Sequence, residues 1–483
     1  EPFLFFRTSG AHAMLATAAR SQMRVDSQTL LLDGTTPVAA YETLRRALPG
    51  RSFLLESSPA PDECARYSII GLGSVAELTA CAGVVRLQTP QGASDFSADR
   101  MLAACRAFLT ACAPQHAPRF LGAYGVAGFE LAGYFEDVHS PSATDADVPD
   151  LHLIVPEIVV VFDHFTHLVT ASVLRHGDSV SGAPGDIMAL LRAARLDDVR
   201  IEPVSQIRPA TVARDFRRGV QTAKDAIAEG EAYQIVLSQA WQVSSASDPL
   251  HVYRSLRSIN PSPYMFHLNL GWGELFGSSP EALCRLDDQR ARIRPLAGTR
   301  PRPGDPREEQ RVAAELQRDP KERAEHLMLV DLARNDLGRV CEYGSIEATE
   351  LFAVERYSHV LHLASDVQGR LRTDCDAFDL FAAAFPAGTV SGAPKIRAMQ
   401  IIGALEGVQR GPYGGSVAYF GFDGSLDACI TLRSAFARDG VFGVHAGAGI
   451  VADSIPELED AECHAKAGAV FAALGAPQPE ARP

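Results

Sequence analysis

The chain has 483 residues, 46% of them hydrophobic and 22% charged, and its 45 basic against 59 acidic residues give a formal charge of −14. This composition is typical of a globular protein and excludes a disordered or fibrous chain. An acidic chain without a Lys- or Arg-rich run is a poor binder of nucleic acids or anionic membranes, so we expect partners of neither kind. No apolar run approaches the roughly 18 residues of a membrane-spanning helix.

The N-terminal segment and the cysteines favour a cytoplasmic location. Residues 1–20 lack the basic start and apolar block of a secretory signal. The nine cysteines are scattered and form no CxxC pair, so we expect neither a disulfide framework nor a zinc site. Residues 1–13 precede the first methionine, Met14, and we interpret them as a non-native or disordered extension.

Changes in composition divide the rest of the chain into two parts. We predict an N-terminal domain at 14–175, a linker at 176–211, a larger domain at 212–474 and a tail at 475–483. Short β-like runs predict N-terminal strands at Ser68–Leu72, Val84–Leu87 and Leu153–Phe162.

The larger domain mixes both kinds of periodicity. Predicted helices are Asp215–Glu229, Arg307–Leu337 and Ala377–Phe385, and predicted strands are Gln234–Val243, Gly415–Phe422, Ala428–Ala437 and Val441–Val451. The last strands follow one another at hairpin-like spacing. This spacing favours antiparallel sheets, and therefore an α+β fold, over a parallel dinucleotide-binding sheet.

One predicted helix carries a pair of carboxylates near its start. The segment from Asp319 supplies an N-cap, a proline at the first helical position and Glu322 as a capping-box residue. Glu325 follows one turn later on the same face. A capping role alone would explain Glu322. A metal-binding role would need a second source of carboxylates elsewhere in the chain.

A second helix offers that source. A similar start signal at Ser454 to Glu457 opens a helix with Glu459, Glu462 and Lys466 on one face. A solvated surface would explain these residues too. However, two helices that each present a carboxylate pair can also build an oxygen-rich Mg²⁺ site.

Three glycine-rich segments do not match the common phosphate-binding motifs. Phe385–Lys395 lacks the GK[ST] of a Walker A loop, and Gly447 to Ala452 resembles a dinucleotide fingerprint but follows antiparallel strands. The third segment begins at Tyr413. Tight turns explain each segment alone; alternatively, their backbone amides could cradle a carboxylate beside Lys395, Arg433 and Lys466.

Two residues are candidates for proton transfer. Glu281 directly follows a Ser-Pro turn at a predicted strand end, and His362 lies in the apolar segment YSHVLHLASDV. A histidine in such a segment is more often a buried core residue than a catalyst. No serine or cysteine has the context of a hydrolytic triad.

Taken in order, ten segments resemble the chorismate-utilising enzymes, and within that family the large subunits of anthranilate synthases. They are AYQIVLSQ, NPSPYMF, SPEALCRL, RPLAGTRPRP, KERAEHLMLVDLARNDLG, YSHVLHL, FPAGTVSGAPK, YGGSVAYFGFDG, ITLRSA and GAGIVADSIPELEDAECHAKA. The resemblance covers about Glu231–Leu474, with weaker likeness at LLESS and RYSIIG. It implies antiparallel β-sheets packed face to face with helices outside, two intertwined subdomains, and chorismate binding by 212–474.

The resemblance also implies a Mg²⁺ cofactor. Glu325 and Glu462 correspond to direct metal ligands, with Glu322 and Glu459 in supporting or water-bridged positions. The metal would hold the ring carboxylate of the dianionic substrate.

The same resemblance implies the remaining active-site roles. Residues implied in substrate binding are Tyr413, Arg433, Gly447 and Gly449 around the enolpyruvyl carboxylate, together with Thr389 and Lys466. Glu281 resembles the general acid that protonates the departing C4 hydroxyl, and His362 the group that assists aromatisation and pyruvate loss. We expect burial to raise the pKa of Glu281, since an acid must be protonated near neutral pH.

Two positions indicate which nucleophile is used. Family members that add water carry a lysine where this chain has Gln234, and members that make aminodeoxychorismate carry a nucleophilic lysine at the position of Ala297. Ammonia needs neither a base nor a covalent lysine adduct, so the resemblance implies ammonia as the nucleophile.

The resemblance implies a separate glutamine amidotransferase subunit, in a heterodimer or heterotetramer, and feedback inhibition by L-tryptophan. Residues implied in the inhibitor site are Glu56, Ser57, Arg66, Pro263, Tyr264, Met265, Val417 and Tyr419. Two alternatives stay open: a 2-amino-4-deoxyisochorismate synthase of secondary metabolism, and a non-catalytic tryptophan-binding regulatory subunit.

Overall fold

The structure, a computed structural model, describes residues 23–57, 66–138, 148–177, 182–211, 213–357 and 360–477. The expected extension at 1–13 and the last part of the tail, 478–483, lie outside the described residues.

The strands are numbered in chain order. β1 to β12 are Met23–Leu31, Ser52–Glu56, Tyr67–Leu72, Ala76–Cys81, Val84–Thr89, Gly92–Ser97, Gly122–Ala127, Leu151–Val155, Ile158–Asp163, Leu168–His176, Gln206–Pro209 and Gln234–Ser244. β13 to β24 are Tyr264–Asn269, Glu274–Ser279, Ala282–Asp287, Arg290–Ile293, Leu296–Pro301, Glu347–Arg356, Val360–Arg370, Gly392–Ala393, Ser416–Gly421, Leu426–Ile430, Ser434–Arg438 and Val441–Ile450.

The α-helices follow the same convention. α1 to α10 are Pro37–Ala47, Met101–Cys112, Pro184–Arg192, Ala213–Ala228, Pro249–Ile259, Pro306–Arg318, Pro320–Gly338, Ala377–Ala384, Lys395–Glu406 and Pro456–Ala473. Short 3₁₀ turns occupy Ala98–Arg100, Phe129–Tyr134 and Gly388–Val390.

The described strands form two twelve-stranded antiparallel sheets. Sheet I has the order β1-β10-β9-β3-β2-β13-β14-β23-β24-β12-β11, with β20 also pairing with β12. Sheet II has the order β17-β19-β16-β15-β22-β21-β7-β8-β4-β5-β6, with β18 also pairing with β19.

The two sheets face each other across an inter-sheet core, in which Phe53 and Phe266 of sheet I meet Tyr124 and Tyr419 of sheet II. Two further cores lie on the outer faces. Helices α1, α3, α4, α5 and α10 pack on sheet I, and α2, α7 and α8 pack on sheet II. This arrangement confirms the predicted α+β class with face-to-face antiparallel sheets and helices outside.

Both sheets contain strands from both sides of the predicted linker. In sheet I, β2 pairs with β13, and in sheet II, β7 pairs with β21. Part of the segment 176–211 is itself ordered, as α3 and as the edge strand β11. The domain boundaries themselves stay a prediction.

Twice, a segment predicted as one continuous strand instead leads from one sheet into the other. The predicted strand Leu153–Phe162 is wrong, since it is divided at Pro156 into β8 of sheet II and β9 of sheet I. A proline lacks the N–H that a ladder needs, which explains the break. The predicted strand Ala428–Ala437 is likewise two strands, β22 and β23, in different sheets.

The predicted helix Arg307–Leu337 is also two helices, α6 and α7. Asp319 separates them and accepts hydrogen bonds from the backbone N–H groups of Lys321 and Glu322, at 3.0 and 3.3 Å. It is the N-cap of α7, with Pro320 at the first helical position.

Within the described ranges, no helix has both the length and the apolar character needed to cross a membrane.

Strands β7 and β8 approach each other closely at Gly125. A Cβ at this position would overlap the carbonyl oxygen of His152 on β8, whereas a Cβ at Gly34 would meet nothing within 4 Å. We expect Gly125→Ala to lower the free energy of unfolding by about 1–3 kcal/mol, as overpacking of a tight site does. Urea denaturation measures it, with Gly34→Ala as the control; equal stabilities of the two variants would contradict the predicted contact.

Candidate active site

A cavity of about 910 Å³ opens beside the ends of β12 and β24. Its lining includes all twelve residues predicted for catalysis, substrate binding and metal binding. They are Glu281, His362, Thr389, Tyr413, Arg433, Gly447, Gly449, Lys466, Glu322, Glu325, Glu459 and Glu462. Residues from distant parts of the chain therefore converge on one site.

Glu281 lies where the chain crosses from β14 of sheet I to β15 of sheet II, directly after Pro280. Its side chain is buried, and the Thr389 hydroxyl donates a hydrogen bond to Oε1 at 3.1 Å. Burial raises the pKa of Glu281 to about 8, although the Thr389 hydroxyl, the Leu296 backbone N–H, Lys466 and Arg433 all lower it. The raised pKa expected from the sequence is thus present, and the carboxyl is protonated at neutral pH.

Arg433 lies at the other crossing, between β22 and β23, with a positive φ of 47°. Hydrogen bonds join the two crossings: the Ile430 N–H donates to the Glu281 carbonyl at 3.1 Å, and the Ser278 N–H donates to the Arg433 carbonyl at 3.1 Å. The Arg433 guanidinium donates to Asn260 Oδ1 at 3.4 Å. Burial lowers the pKa of Arg433, so an anionic ligand would offset the cost of its desolvation.

Gly447 and Gly449 allow β24 to approach the cavity closely. A Cβ at Gly447 would lie 2.8 Å from the Tyr413 hydroxyl, and one at Gly449 would lie 2.6 Å from Nε2 of Gln234. Any larger residue at either position would displace these side chains. Close packing therefore explains the presence of both glycines, in addition to any role in a turn. Lys466 donates a hydrogen bond to the Gly447 carbonyl at 2.9 Å and brings a cation to the same wall.

His362 lies on strand β19, so its neighbourhood is extended rather than helical. Its Nδ1 lies 3.3 Å from the Gly298 carbonyl, and the Tyr357 ring meets the imidazole edge to face with centroids 5.4 Å apart. Burial lowers the pKa of His362 to about 4, and the imidazole is therefore neutral at pH 7. A neutral imidazole can accept a proton. His359 lies outside the described residues.

The four predicted metal ligands lie on α7 and α10, which present them to the same cavity. Burial, Glu322, Glu459 and Glu462 raise the pKa of Glu325, and burial and Glu462 raise that of Glu459. The carboxylates of the two helices thus repel one another.

Basic side chains partly offset this repulsion. Lys466 lies 2.6 Å from Glu462, Lys321 lies 3.8 Å from Glu325, and Arg300 donates to Glu322 at 2.8 Å. The capping-box role predicted for Glu322 is wrong, because its carboxylate binds Arg300 on β17 instead of the N-cap backbone.

The donor set fits a hard divalent cation, because Mg²⁺ prefers carboxylate oxygens and a cation would relieve the repulsion between α7 and α10. In the part of the chain that the structure describes, no three carboxylate, histidine or cysteine groups lie close enough to hold an ion together. A metal would therefore have to compete with Lys466 and Lys321 for their carboxylate partners.

Lys395 does not face the cavity as the glycine-rich segment suggested. Its ammonium group is buried behind the wall and donates to Asp336 Oδ2 and to the Ala384 carbonyl, both at 2.9 Å. The alternative interpretation, in which a carboxylate lies beside Lys395, Arg433 and Lys466, is therefore wrong for Lys395.

The structure brings part of the predicted inhibitor site together at β2 and β13. Glu56 pairs with Met265 across these strands, and its buried carboxylate accepts a hydrogen bond from the Tyr253 hydroxyl at 2.7 Å. Arg257 lies 3.3 Å from the same carboxylate. Ser57 directly follows β2.

The other predicted inhibitor residues extend this region into the inter-sheet core. Val417 and Tyr419 belong to that core, Tyr264 packs against it, and Pro263 is buried beside Tyr264. Arg66 instead lies 2.8 Å from Asp163, and its guanidinium covers the Tyr67 ring at 5.0 Å. Arg66 precedes β3, whose start runs beside the end of β2, so it lies on the same side of the sheet region as Ser57 although its charge is paired with Asp163. The role of all these residues in binding stays a prediction.

Several cavity residues were not singled out from the sequence. They are Asn260, Arg300, Lys321, Tyr357, His445 and Asp453. Arg300 and Asn260 lie within quoted segments, so their position next to predicted residues was an available signal. Gln234 and Ala297, which the sequence singled out as selecting the nucleophile, both line the cavity.

Comparisons with known proteins define the class to which this fold and cavity belong. The family model described as chorismate binding enzyme matches residues 51–472. The chain belongs to this family, and it is an enzyme of the chorismate-binding type.

Individual relatives show which members of the family this chain resembles. The chain is 42% identical to anthranilate synthase component 1 of Thermus thermophilus over 464 residues, which cover 94% of this chain and 98% of the relative. It is 41% identical to the Streptomyces coelicolor protein of the same name, covering 92% and 88%.

Solved structures agree with this likeness. The crystal structure of anthranilate synthase component I from Streptococcus pneumoniae has a TM-score of 0.74 and 32% identity, covering 91% of this chain and 98% of that one. The menaquinone-specific isochorismate synthase of Escherichia coli shares the fold, with a TM-score of 0.74 at 21% identity, covering 97% and 99%.

The environment of Glu281 predicts its titration. We expect the carboxyl to be protonated below a pKa of about 8 and ionised above it. Thr389→Val removes a hydrogen bond that lowers the pKa, and the titration should then move to higher pH. Difference infrared titration, with Glu281→Gln to identify the band, measures both; a midpoint near the ordinary glutamate pKa of ~4.3 would contradict the burial argument.

Proposed function

We propose that this chain is the synthase subunit of an anthranilate synthase, a lyase that converts chorismate and ammonia into anthranilate and pyruvate in tryptophan biosynthesis. The observation that carries the proposal is the protonated Glu281 in a cavity that also holds Gln234 and Ala297. An acid is present for the leaving hydroxyl, and neither lysine that would divert the reaction is present. The names of the relatives point in the same direction.

Substrate binding uses the cations of the cavity. Arg433, Tyr413 and the backbone at Gly447 and Gly449 hold the enolpyruvyl carboxylate, while Thr389 and Lys466 line the same pocket. A charged hydrogen bond to a buried guanidinium is strong and directional, which suits a dianionic ligand in an acidic protein.

Glu325 and Glu462 would hold Mg²⁺ directly, supported by Glu322 and Glu459. When bound, the ion supplies positive charge for the ring carboxylate and withdraws electron density from the ring. Release of Glu462 from Lys466 would free that lysine for the substrate.

The first chemical step is displacement of the C4 hydroxyl by ammonia. Ammonia attacks C2, both ring double bonds shift by one position, and the C4–O bond breaks as Glu281 donates its proton, so that water leaves; the new ammonium group at C2 then releases one proton, which balances the proton donated by Glu281. The product of this step is 2-amino-4-deoxyisochorismate. Gln234 cannot deprotonate water as a lysine would, which disfavours hydroxylation at C2.

The second step is elimination of pyruvate. The C2 proton is lost, the C3–O bond breaks, and the enolpyruvyl group takes up a proton to leave as pyruvate, with anthranilate remaining. The neutral imidazole of His362 beside the cavity is suited to accept the C2 proton.

The partners follow from the same proposal. The relatives are named component 1, which implies a second component. We propose a glutamine amidotransferase that supplies ammonia, in a heterodimer or heterotetramer. We also propose that L-tryptophan binds near Glu56, Met265 and Tyr419 as a feedback inhibitor that disfavours the chorismate-bound state.

The direct test supplies purified protein with chorismate, Mg²⁺ and ammonium salt and follows anthranilate fluorescence and pyruvate release. Equal amounts of both products, with inhibition by tryptophan, are expected. Accumulation of the amino intermediate without pyruvate would instead indicate a 2-amino-4-deoxyisochorismate synthase. Tryptophan binding without turnover would indicate a regulatory subunit, and either result would overturn the proposal.

Gln234 is expected to control the choice of nucleophile. Gln234→Lys places a base in the cavity, so some water addition at C2 should appear as a hydroxylated product. Chromatography of the products without ammonium salt measures it. Gln242→Lys, on an exposed position of the same strand, is the matched control and should give none. Absence of hydroxylated product from Gln234→Lys would contradict the proposed basis of selectivity.

Glu462 is expected to be essential for metal-dependent turnover. Glu462→Ala removes a proposed direct ligand, and the loss of activity should exceed the roughly 10- to 100-fold typical of outer-shell partners. Titration of the rate with Mg²⁺ measures it, and Glu457→Ala, on the same helix but outside the cavity lining, is the control. An unchanged Mg²⁺ dependence in Glu462→Ala would refute the ligand assignment.

A further inference from the structure

A buried ion pair lies directly behind the wall that carries Glu281. The Lys395 ammonium and the Asp336 carboxylate are 2.9 Å apart, and their side chains are only 9% and 8% exposed. The same ammonium donates to the Ala384 carbonyl at 2.9 Å. This single group therefore joins α7, the end of α8 and the start of α9.

The two ends of one cavity segment meet at this ammonium. Residues 385–394 run from Ala384, whose carbonyl accepts its hydrogen bond, to Lys395 itself, and Thr389 lies halfway between. The segment is also pressed against α7, because a Cβ at Gly388 would overlap the Leu332 side chain. Its position relative to α7 thus depends on the ion pair at its base and on tight packing at its middle.

Asp336 and the reacting carboxyl border the same small space. A chamber of about 30 Å³ has Glu281, Thr389, Asp336 and Ala384 among its lining residues. The ion pair is therefore a close neighbour of the contact between Thr389 and Glu281.

The charges at this place are not explained by stability. Replacing a buried ion pair with apolar residues of similar size is often neutral or stabilising, because the pair must be desolvated. Burial raises the pKa of Asp336 to about 6 even beside Lys395, which shows that desolvation is costly here. A role in fixing geometry accounts for a pair that packing alone would not require.

We propose that Lys395 and Asp336 form a positioning pair that holds the segment 385–394 so that the Thr389 hydroxyl stays hydrogen-bonded to Glu281. The pair does not touch the substrate. It acts through Thr389 on the carboxyl, and the consequence for turnover rests on the proposed role of Glu281 as general acid.

The test removes both charges together in Asp336→Asn/Lys395→Met, which leaves no unpaired buried ion. We expect the Glu281 titration to move to higher pH, as it does in Thr389→Val, while Arg433, Lys466 and the Leu296 N–H still face the carboxyl. The matched control is Arg397→Gln/Glu231→Gln, which removes a solvent-exposed pair between α9 and the segment before β12 and should leave the titration unchanged.

Kinetics provide the second readout. In the variant without the pair, kcat should fall about tenfold, the size expected when one hydrogen bond at the reacting carboxyl is lost, with the KM for chorismate nearly unchanged. Thr389→Val should then have little further effect, because the contact that it removes is already lost. Lys395→Arg keeps a cation beside Asp336, so its kcat should lie between that of the wild type and that of the variant without the pair.

The outcomes separate this inference from the proposed function. If wild-type protein forms no anthranilate, the proposed function fails, and the infrared titration still decides the inference. An unchanged Glu281 titration, or an undiminished effect of Thr389→Val in the variant without the pair, would overturn it. Should that variant not fold, Lys395→Met alone makes the same comparison, because it removes the ammonium that joins both ends of the segment to α7, and an unchanged titration would again overturn the proposal.

Discussion

Two crossings of the chain between the sheets, hydrogen-bonded to each other, determine where the chemistry lies. Glu281 occupies one crossing and Arg433 the other, and the Ile430 and Ser278 N–H groups tie them together. A strand interior alternates its side chains between two faces, whereas a crossing releases a residue from that alternation and turns it toward the end of the sandwich. An acid and a cation are thereby held between paired strands that fix the backbone on both sides of each crossing.

The charge distribution follows from this placement. The chain carries a formal charge of −14, yet the cavity is lined by the half-buried Arg433 and the exposed Lys466. On the opposite wall, burial and neighbouring carboxylates raise the pKa of Glu325 and of Glu459, and the neighbours of Glu325 come from both α7 and α10. The site thus combines a cationic side for a carboxylate with an acidic side suited to a divalent ion.

Local patterns predicted local features well, and long-range placement poorly. Neighbouring residues in the sequence were enough to predict Asp319 as an N-cap, the two carboxylate helices and the Ser-Pro turn before Glu281. The segments that resemble the family contain the residues predicted to line the cavity. The passage from β8 to β9 was missed because an apolar run gives no sign of which sheet each half joins. Lys395 was misplaced because its partner Asp336 lies 59 residues away, beyond any periodicity.

The sharing of both sheets between the two halves of the chain has a consequence for biosynthesis. Strand β2 finds its partner β13 only after more than two hundred residues have been made, and β7 waits for β21 nearly three hundred residues further on. Until then a growing polypeptide on the ribosome exposes unpaired, apolar strand edges, which favour aggregation and recruit chaperones. Assembly of the sandwich is therefore a late event, completed only when the last strands have left the exit tunnel.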